Sequence, residues 1–198
     1  KKSNYFQDLF SIKDNIVVIL HSGWIHGVML SEELSKSSRN WPENWRLVFH
    51  ERMKRSFNED YIQAVLNASG GKALFSLNPV DYDRVDEITL SSKIGIVLYD
   101  KPKKWGTNWI SLGKGSGKIA HYLRCGRPIL CSNLPGFKEI VTKYKCGILF
   151  DNVDEIESGI NQILDDYEYY SVNALKCYEN EYEFSRFFDK VLTKLRQK

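Results

Sequence analysis

Short runs of apolar residues alternate along this chain with longer stretches in which apolar residues recur every three or four positions. The short runs predict buried β-strands, and the longer stretches predict amphipathic helices. The six predicted strands are Asn15–His21, Trp45–His50, Lys72–Leu77, Ile94–Tyr99, Ile129–Cys131 and Ile148–Phe150. The predicted helices lie at 3–10, 28–36, 58–68, 85–93, from about Gly117 to Gly126, and at 137–144, 153–166 and 171–197.

This alternation of strand and helix predicts an α/β fold. Nearly continuous apolar strands are typical of a parallel sheet that is covered on both faces. We therefore expect a Rossmann-like three-layer sandwich of about six parallel strands with helices on both faces. The 198 residues fit a single domain at 1–198, with a linker or short helix at 1–14 and a closing helix at 171–198.

Composition narrows the class of protein. Hydrophobic residues make up 42% and charged residues 27% of the chain, which is typical of a soluble globular protein. No apolar run is long enough to span a membrane. The four cysteines form no C-x-x-C pair, so they are expected to be reduced core residues of a cytosolic protein.

The net charge of +3 is too small to indicate a nucleic-acid partner. Lysines and tryptophans are interleaved in the stretch 101–114, a pattern that can bind single strands by charge and stacking. A loop over a phosphate site explains the same residues, so we expect no nucleic-acid partner.

The stretch from Gly113 to Lys118 carries the clearest candidate chemistry. Its glycines lead into a short helix whose first turn has unpaired N–H groups and a partial positive charge, and Lys118 adds a full charge. These features predict a seat for a diphosphate. The stretch is not the P-loop of nucleoside-triphosphate enzymes, because Leu112 stands where that motif needs glycine and Ile119 where it needs serine or threonine.

Ligands of such sheets bind beyond the carboxyl ends of the strands. The first strand ends at Ser22 and Gly23, the second is followed by Arg52, and the third by Asn78, Pro79 and Val80. All four histidines (His21, His26, His50 and His121) fall on or near this edge. The sequence therefore predicts a polar cleft there.

The order of elements and the pattern Ser116-x-Lys118-x-x-x-Tyr122-Leu123-x-x-Gly126-x-Pro128-Ile129 resemble the C-terminal, donor-binding domain of GT-B glycosyltransferases. The most similar group is that of the retaining family 4-like, or group 1, enzymes. The family's Gly-x-x-Glu is matched by Gly136 and Glu139. The resemblance covers essentially the whole chain and implies a nucleotide sugar donor of UDP or GDP type.

The resemblance also implies roles for residues. It places the diphosphate on Ser116, Gly117 and Lys118, with the Ser22-Gly23 turn close to the phosphates. His121 matches the position of a ribose-binding glutamate, and Asn78, Pro79 and Val80 match the loop that contacts the base.

Three departures from the family pattern change this assignment. Of the family's two glutamates at Glu-x7-Glu, neither is present, since Gly113 and His121 stand at those positions. The family's arginine and lysine after the first strand have no clear match; His26 is the nearest candidate for the lysine. Arg52, after the second strand, is our candidate for the missing charge.

We expect neither a metal nor a cofactor. Asp81-Tyr82-Asp83 has the Asp-x-Asp spacing of manganese-dependent GT-A transferases, but the chain has no other GT-A feature. The triplet is expected to be a solvated loop.

The sequence thus favours the donor-binding half of a hexosyltransferase that transfers a sugar, without metal and with retention, to an unknown acceptor. Such a chain is expected to lack an N-terminal acceptor domain and to be nearly inactive alone. It is expected in the cytoplasm, with peripheral membrane contact through a lipid-linked acceptor as a further option. A non-catalytic module that binds nucleotides or sugar phosphates remains the alternative. A dinucleotide oxidoreductase is disfavoured, because no G-x-G-x-x-G follows the first strand.

Overall fold

The computed structural model describes residues 2–100 and 115–196. Its strands are β1 (Val17–Ser22), β2 (Trp45–His50), β3 (Ala73–Ser76), β4 (Ile94–Val97), β5 (Ile129–Ser132) and β6 (Gly147–Phe150). They form one sheet in the order β3-β2-β1-β4-β5-β6, and every pair is parallel. The predicted fold class is confirmed.

The helices cover both faces of this sheet. They are α1 (Tyr5–Phe10), α2 (Ser31–Ser37), α3 (Asp60–Ala68), α4 (Val85–Leu90), α5 (Gly117–Arg124), α6 (Pro135–Tyr144), α7 (Ile156–Asp165), α8 (Tyr167–Glu181) and α9 (Phe184–Arg196). Short 3-10 turns lie at Gly27–Met29, Ser38–Asn40, Tyr82–Arg84 and Val153–Glu155. None of the helices in the described ranges is long and apolar enough to cross a membrane.

The core consists of two layers, one on each face of the sheet. Along β1 the side chains alternate, so that Ile19 joins the layer under α2, α3 and α7, whereas Val18 and Leu20 join the layer under α5, α6 and α8. All four cysteines are free, and Cys131, Cys146 and Cys177 are buried in the second layer, as predicted.

The single closing helix predicted at 171–197 is wrong. The structure has two helices there, α8 and α9, separated by Tyr182 and Glu183. Three glutamates, Glu179, Glu181 and Glu183, crowd this point, and negative charge at a helix C-terminus opposes the helix dipole. No glycine or proline marks the break, which is why the pattern of apolar residues runs through it.

Candidate functional site

A cavity of about 510 Å³ opens at the carboxyl ends of β1 and β4. The chain runs outward from β1 in opposite directions, toward β2 and β3 on one side and toward β4, β5 and β6 on the other, so this is the switch point of the sheet. The cavity is lined by Ser22, Gly23, Trp24, Met29, Arg52, Tyr82, Val85, Thr89, Tyr99, Gly115, Ser116, Gly117, Lys118, His121 and Tyr122.

Tyr122 fixes α5 to the sheet. Its ring lies directly over Gly95 of β4, where a Cβ atom would overlap it, so only glycine leaves room for the ring. Its hydroxyl donates to the Leu20 carbonyl (2.9 Å) and accepts from the Ser22 N–H (2.9 Å). These two hydrogen bonds therefore hold α5 against the end of β1 and the turn that follows it.

Lys118 reaches from the first turn of α5 across to the turn after β1. Its Nζ lies 3.3 Å from the position that a Cβ on Gly23 would take, and Gly23 itself has a φ of +121°. The ammonium also lies 5.2 Å from the centre of the Tyr99 ring and 3.9 Å from the Met29 sulfur. Burial, and next the nearby Arg52, lower the pKa of Lys118 to about 8.

Arg52 brings a second positive charge to the same cavity. Its side chain is exposed, and neither it nor Lys118 forms an ion pair with a carboxylate in the described ranges. The two cations repel each other, which lowers the pKa of Lys118, and the charge of Glu51 offsets part of this effect. A bound anion would remove that repulsion.

Glu51 holds the loop on which this arrangement depends. Its side chain is fully buried, and its two oxygens accept the backbone N–H groups of Ile25 (2.9 Å) and Arg52 (2.8 Å). The Arg55 guanidinium lies 3.5 Å from it. In addition, the Gly23 N–H donates to the His50 carbonyl (2.8 Å), so the turn after β1 is tied to the end of β2 at two points.

His121 lies on α5 one turn after Lys118 and also lines the cavity. Arg124 Nη2 lies 3.1 Å from its Nδ1 and also donates to Asp86 (2.5 Å). The Tyr82 ring packs edge-on against the imidazole, with ring centres 5.6 Å apart. Burial, and next the charge of Arg124, lower the pKa of His121, so the ring is neutral near pH 7.

Most of the residues predicted from sequence thus meet at one cavity. Those that line it are Ser22, Gly23, Arg52, Ser116, Gly117, Lys118 and His121. Ser116 is buried immediately before α5. Gly113 and Lys114, the other predicted parts of the seat, lie outside the described residues, as do the lysines and tryptophans of 101–114.

The other predicted residues do not line this cavity. The His26 ring stacks on Trp24 with ring centres 3.9 Å apart, and its Nδ1 accepts the Val28 N–H (3.2 Å), which caps a 3-10 turn. Asn78 borders a separate cavity of about 600 Å³ beyond β2 and β3, whereas Pro79 and Val80 border neither. The contact of this loop with a base stays a prediction.

Two aspartates of the Asp-x-Asp triplet, Asp81 and Asp83, are exposed at a 3-10 turn. Over residues 2–100 and 115–196, no group of three or more histidine, cysteine or acidic side chains is arranged to hold a metal ion.

Sequence reasoning missed several cavity residues. The sequence pattern marks Tyr82 only as the centre of the acidic triplet, although this residue is 77% exposed and lines the cavity. Tyr99 follows β4, and Tyr122 lies on the predicted helix after Lys118. Both positions were sufficient to predict a residue near the cavity. Met29 and Thr89 carried no signal, because neither stands at the end of a strand.

Comparisons with known proteins find one family model and several solved structures that this chain resembles. Residues 116–181 match the family model of glycosyl transferases group 1. A search of curated proteins by sequence found no match.

The fold matches solved glycosyltransferase structures over nearly the whole chain. Sucrose-phosphate synthase of Thermosynechococcus elongatus has a TM-score of 0.73 at 15% identity, covering 99% of this chain and 49% of its own. HepE of Anabaena, solved with UDP and glucose, has a TM-score of 0.73 at 14% identity, with 98% and 52% covered. These identities establish the fold alone, and the chain spans about half the length of both proteins.

A third structure covers only the corresponding part of its protein. The C-terminal domain of a group 1 glycosyl transferase, LpcC of Francisella tularensis, has a TM-score of 0.64 at 11% identity and covers 90% of each chain. The described fold therefore corresponds to that domain.

Proposed function

We propose that this chain, a group 1 glycosyltransferase domain of the GT-B type, binds the nucleoside diphosphate of an activated sugar in the cavity at the ends of β1 and β4. The observation that carries the proposal is the position of Lys118. Its ammonium is partly stripped of water and lies beside the Gly23 turn, with Arg52 on the same cavity and no described carboxylate paired with either.

The local geometry suits a diphosphate in three ways. The first turn of α5 has backbone N–H groups without intrahelical acceptors, and the helix dipole adds partial positive charge. Gly23 and Gly117 keep side chains away from the ligand. Lys118 and Arg52 contribute two full positive charges against the two or three negative charges of the diphosphate.

The same groups would serve the chemistry of transfer. When the bond between the sugar C1 and the phosphate oxygen breaks, the electron pair stays with the leaving nucleoside diphosphate. Fixed cations stabilise that developing charge in the transition state. We propose that Lys118, Arg52 and the helix terminus do so without a metal ion, and that the transferred group is a hexose, with retention at C1.

Two further parts of the proposal concern the whole enzyme. The acceptor would be bound by a separate domain, so this chain alone would bind donor and turn over little of it. No cofactor would be needed, since the nucleotide sugar is itself the substrate.

Titration calorimetry with UDP, GDP, ADP and NAD tests the proposal. UDP is the first choice, because HepE, which shares the fold, was solved with UDP. Saturable binding of one nucleoside diphosphate, with NAD at least ten-fold weaker, is the expected result. Stronger binding of NAD, or no binding of any diphosphate, would contradict it.

The affinity should fall as the pH rises through the pKa of Lys118, which is about 8. Only the charged amine attracts the diphosphate, so we expect roughly ten-fold weaker binding at pH 9 than at pH 7.5. The range from pH 7.5 to 9 lies above the last ionisation of the diphosphate, which has a pKa near 6, so the charge of the ligand stays constant over it. Calorimetry at fixed ionic strength measures it, with Lys118→Met as the variant whose affinity should stay flat.

Stability of the free chain should change in the opposite direction. The folded pKa of Lys118 lies below its usual value of 10.5. The folded state therefore binds fewer protons than the unfolded state between about pH 8 and 10.5, and this residue's contribution to stability rises with pH in that window.

For the affinity series, a dissociation constant that does not change from pH 7.5 to 9 would show that Lys118 is not in the binding site.

A further inference from the structure

Helix α9 (Phe184–Arg196) leaves most of its large apolar side chains exposed. Those that are between 42% and 71% exposed are Phe184, Phe187, Phe188, Val191 and Leu195. None of the described residues of α9 belongs to either layer of the core. The helix is joined to the end of α8, where Arg186 Nη1 donates to the Glu179 carbonyl (2.7 Å) and to the Asn180 side chain (2.8 Å). This contact lies at the start of α9 and leaves its apolar face available to a partner.

The apolar residues of α9 lie along one face of the helix. Successive ones are three or four positions apart, from Phe184 to Leu195. The Phe184 and Phe188 rings stack on this face with centres 5.1 Å apart. At about 100° per residue, Lys194 and Arg196 fall on its two borders. Long basic side chains at such borders cover apolar surface with their stems while their charges reach a polar layer.

The positive charge of the chain is concentrated on the same helix. Residues 184–196 hold four of the 28 lysines and arginines and one of the 25 acidic residues, so this segment carries a net charge of +3. The whole chain also carries +3, so the remainder is neutral overall. An apolar face with basic borders is typical of helices that lie on anionic lipid surfaces.

We propose that α9 binds an anionic lipid bilayer and lies in the plane of its surface. The helix has 13 residues. Its length of about 20 Å is too short to cross a hydrocarbon layer of about 30 Å. In the bound state its apolar face enters the boundary between headgroups and acyl chains, and Lys194 and Arg196 contact the lipid phosphates. The proposal concerns α9 alone and does not depend on nucleotide binding in the cavity at β1 and β4.

The composition of the helix favours lipid over a nucleic acid or a second protein. A single strand would use the charge and could stack on the phenylalanines, but Val191 and Leu195 have no ring on which a base can stack. A protein partner would cover the apolar face but gives no reason for the excess of basic residues. An anionic bilayer uses both the apolar face and the charge.

Flotation of the 198-residue chain with lipid vesicles tests the proposal. Vesicles of phosphatidylcholine alone are compared with vesicles in which about one third of the lipid is phosphatidylglycerol. Binding to the anionic vesicles should be at least about ten-fold stronger and should weaken as added salt screens the charges. No binding to the anionic vesicles, or equal binding to both kinds, would overturn the proposal.

Leu195→Glu and Leu9→Glu form a matched pair of variants. Leu195 is 65% exposed on α9 and Leu9 is 51% exposed on α1, so neither substitution removes a core side chain. Leu195→Glu puts a negative charge within the apolar face and should weaken binding to the anionic vesicles about ten-fold or more, whereas Leu9→Glu should not. Unchanged binding by Leu195→Glu, or equal losses for the two variants, would show that α9 does not contact the lipid. If either variant does not fold, the wild-type comparison alone decides.

Two further measurements identify a different occupant. Binding of a single-stranded oligonucleotide, without binding to the anionic vesicles, would assign α9 to a nucleic acid. A dimer that is seen by analytical ultracentrifugation and lost in Leu195→Glu, again without vesicle binding, would assign the face to a second copy of this chain. Either result would overturn the lipid assignment.

Discussion

Replacing Glu51 with alanine is expected to lower the free energy of unfolding by about 3–5 kcal/mol, the range for breaking a buried charged pair. The carboxylate is fully buried, accepts the N–H groups of Ile25 and Arg52, and lies 3.5 Å from the Arg55 guanidinium. Its removal leaves two N–H donors without their acceptor and takes from Arg55 one of its two carboxylate neighbours. Urea denaturation, with the midpoint and slope fitted together, measures the loss.

Glu59 provides a matched control, because it pairs with the same arginine at the surface. Its side chain is 39% exposed, and Arg55 Nε donates to it at 2.5 Å. Solvent screens such a pair, so Glu59→Ala should lower stability far less than Glu51→Ala. Equal losses for the two variants would mean that Glu51 acts only as a partner of Arg55 and does not hold the turn after β1.

The sheet and the edge that carries the site were predictable from sequence. Val17, Val18, Ile19 and Leu20 form a short apolar run that is typical of a strand buried on both faces, and similar runs mark the other strands. The carboxyl ends of strands in a parallel sheet share one edge, so the sequence alone places Gly23, Arg52 and the start of α5 near one another. Such local patterns need no knowledge of tertiary contacts.

The contacts that shape the cavity could not be predicted in this way. Gly95 and Tyr122 are 27 positions apart, and nothing near either residue shows that one ring needs the space left by the other. In the sequence, Glu51 is visible only as a polar residue between His50, the last residue of β2, and Arg52. Its function depends on the path of the chain around Ile25, which tertiary packing determines.

His26 illustrates a competition between local and distant partners. Its position after β1 made it a candidate for a phosphate contact, and that role stays a prediction. In the structure, however, its Nδ1 accepts the Val28 N–H and its ring stacks on Trp24. Short-range capping of this kind needs no loop closure, so it competes well with a contact across the cavity.

Lys118→Ala is expected to weaken binding of the preferred nucleoside diphosphate by about 1–3 kcal/mol, or roughly 5- to 150-fold in the dissociation constant. The amine is the one charged group that reaches the Gly23 turn from the first turn of α5 among the described residues. Calorimetry at pH 7.5 measures the change. Lys138, which is exposed on α6, gives the matched control, since Lys138→Ala removes the same charge away from the cavity.

Stability and affinity should respond to this substitution in opposite directions. Burial and the nearby Arg52 lower the pKa of Lys118 to about 8, so the charged amine is unfavourable in the free protein. Its removal should therefore leave the urea midpoint unchanged or raise it, while affinity falls. A lysine kept for packing would give the reverse pattern, with lower stability and unchanged affinity. A buried charge that destabilises the free protein is typical of a binding site, because the bound ligand then stabilises that charge.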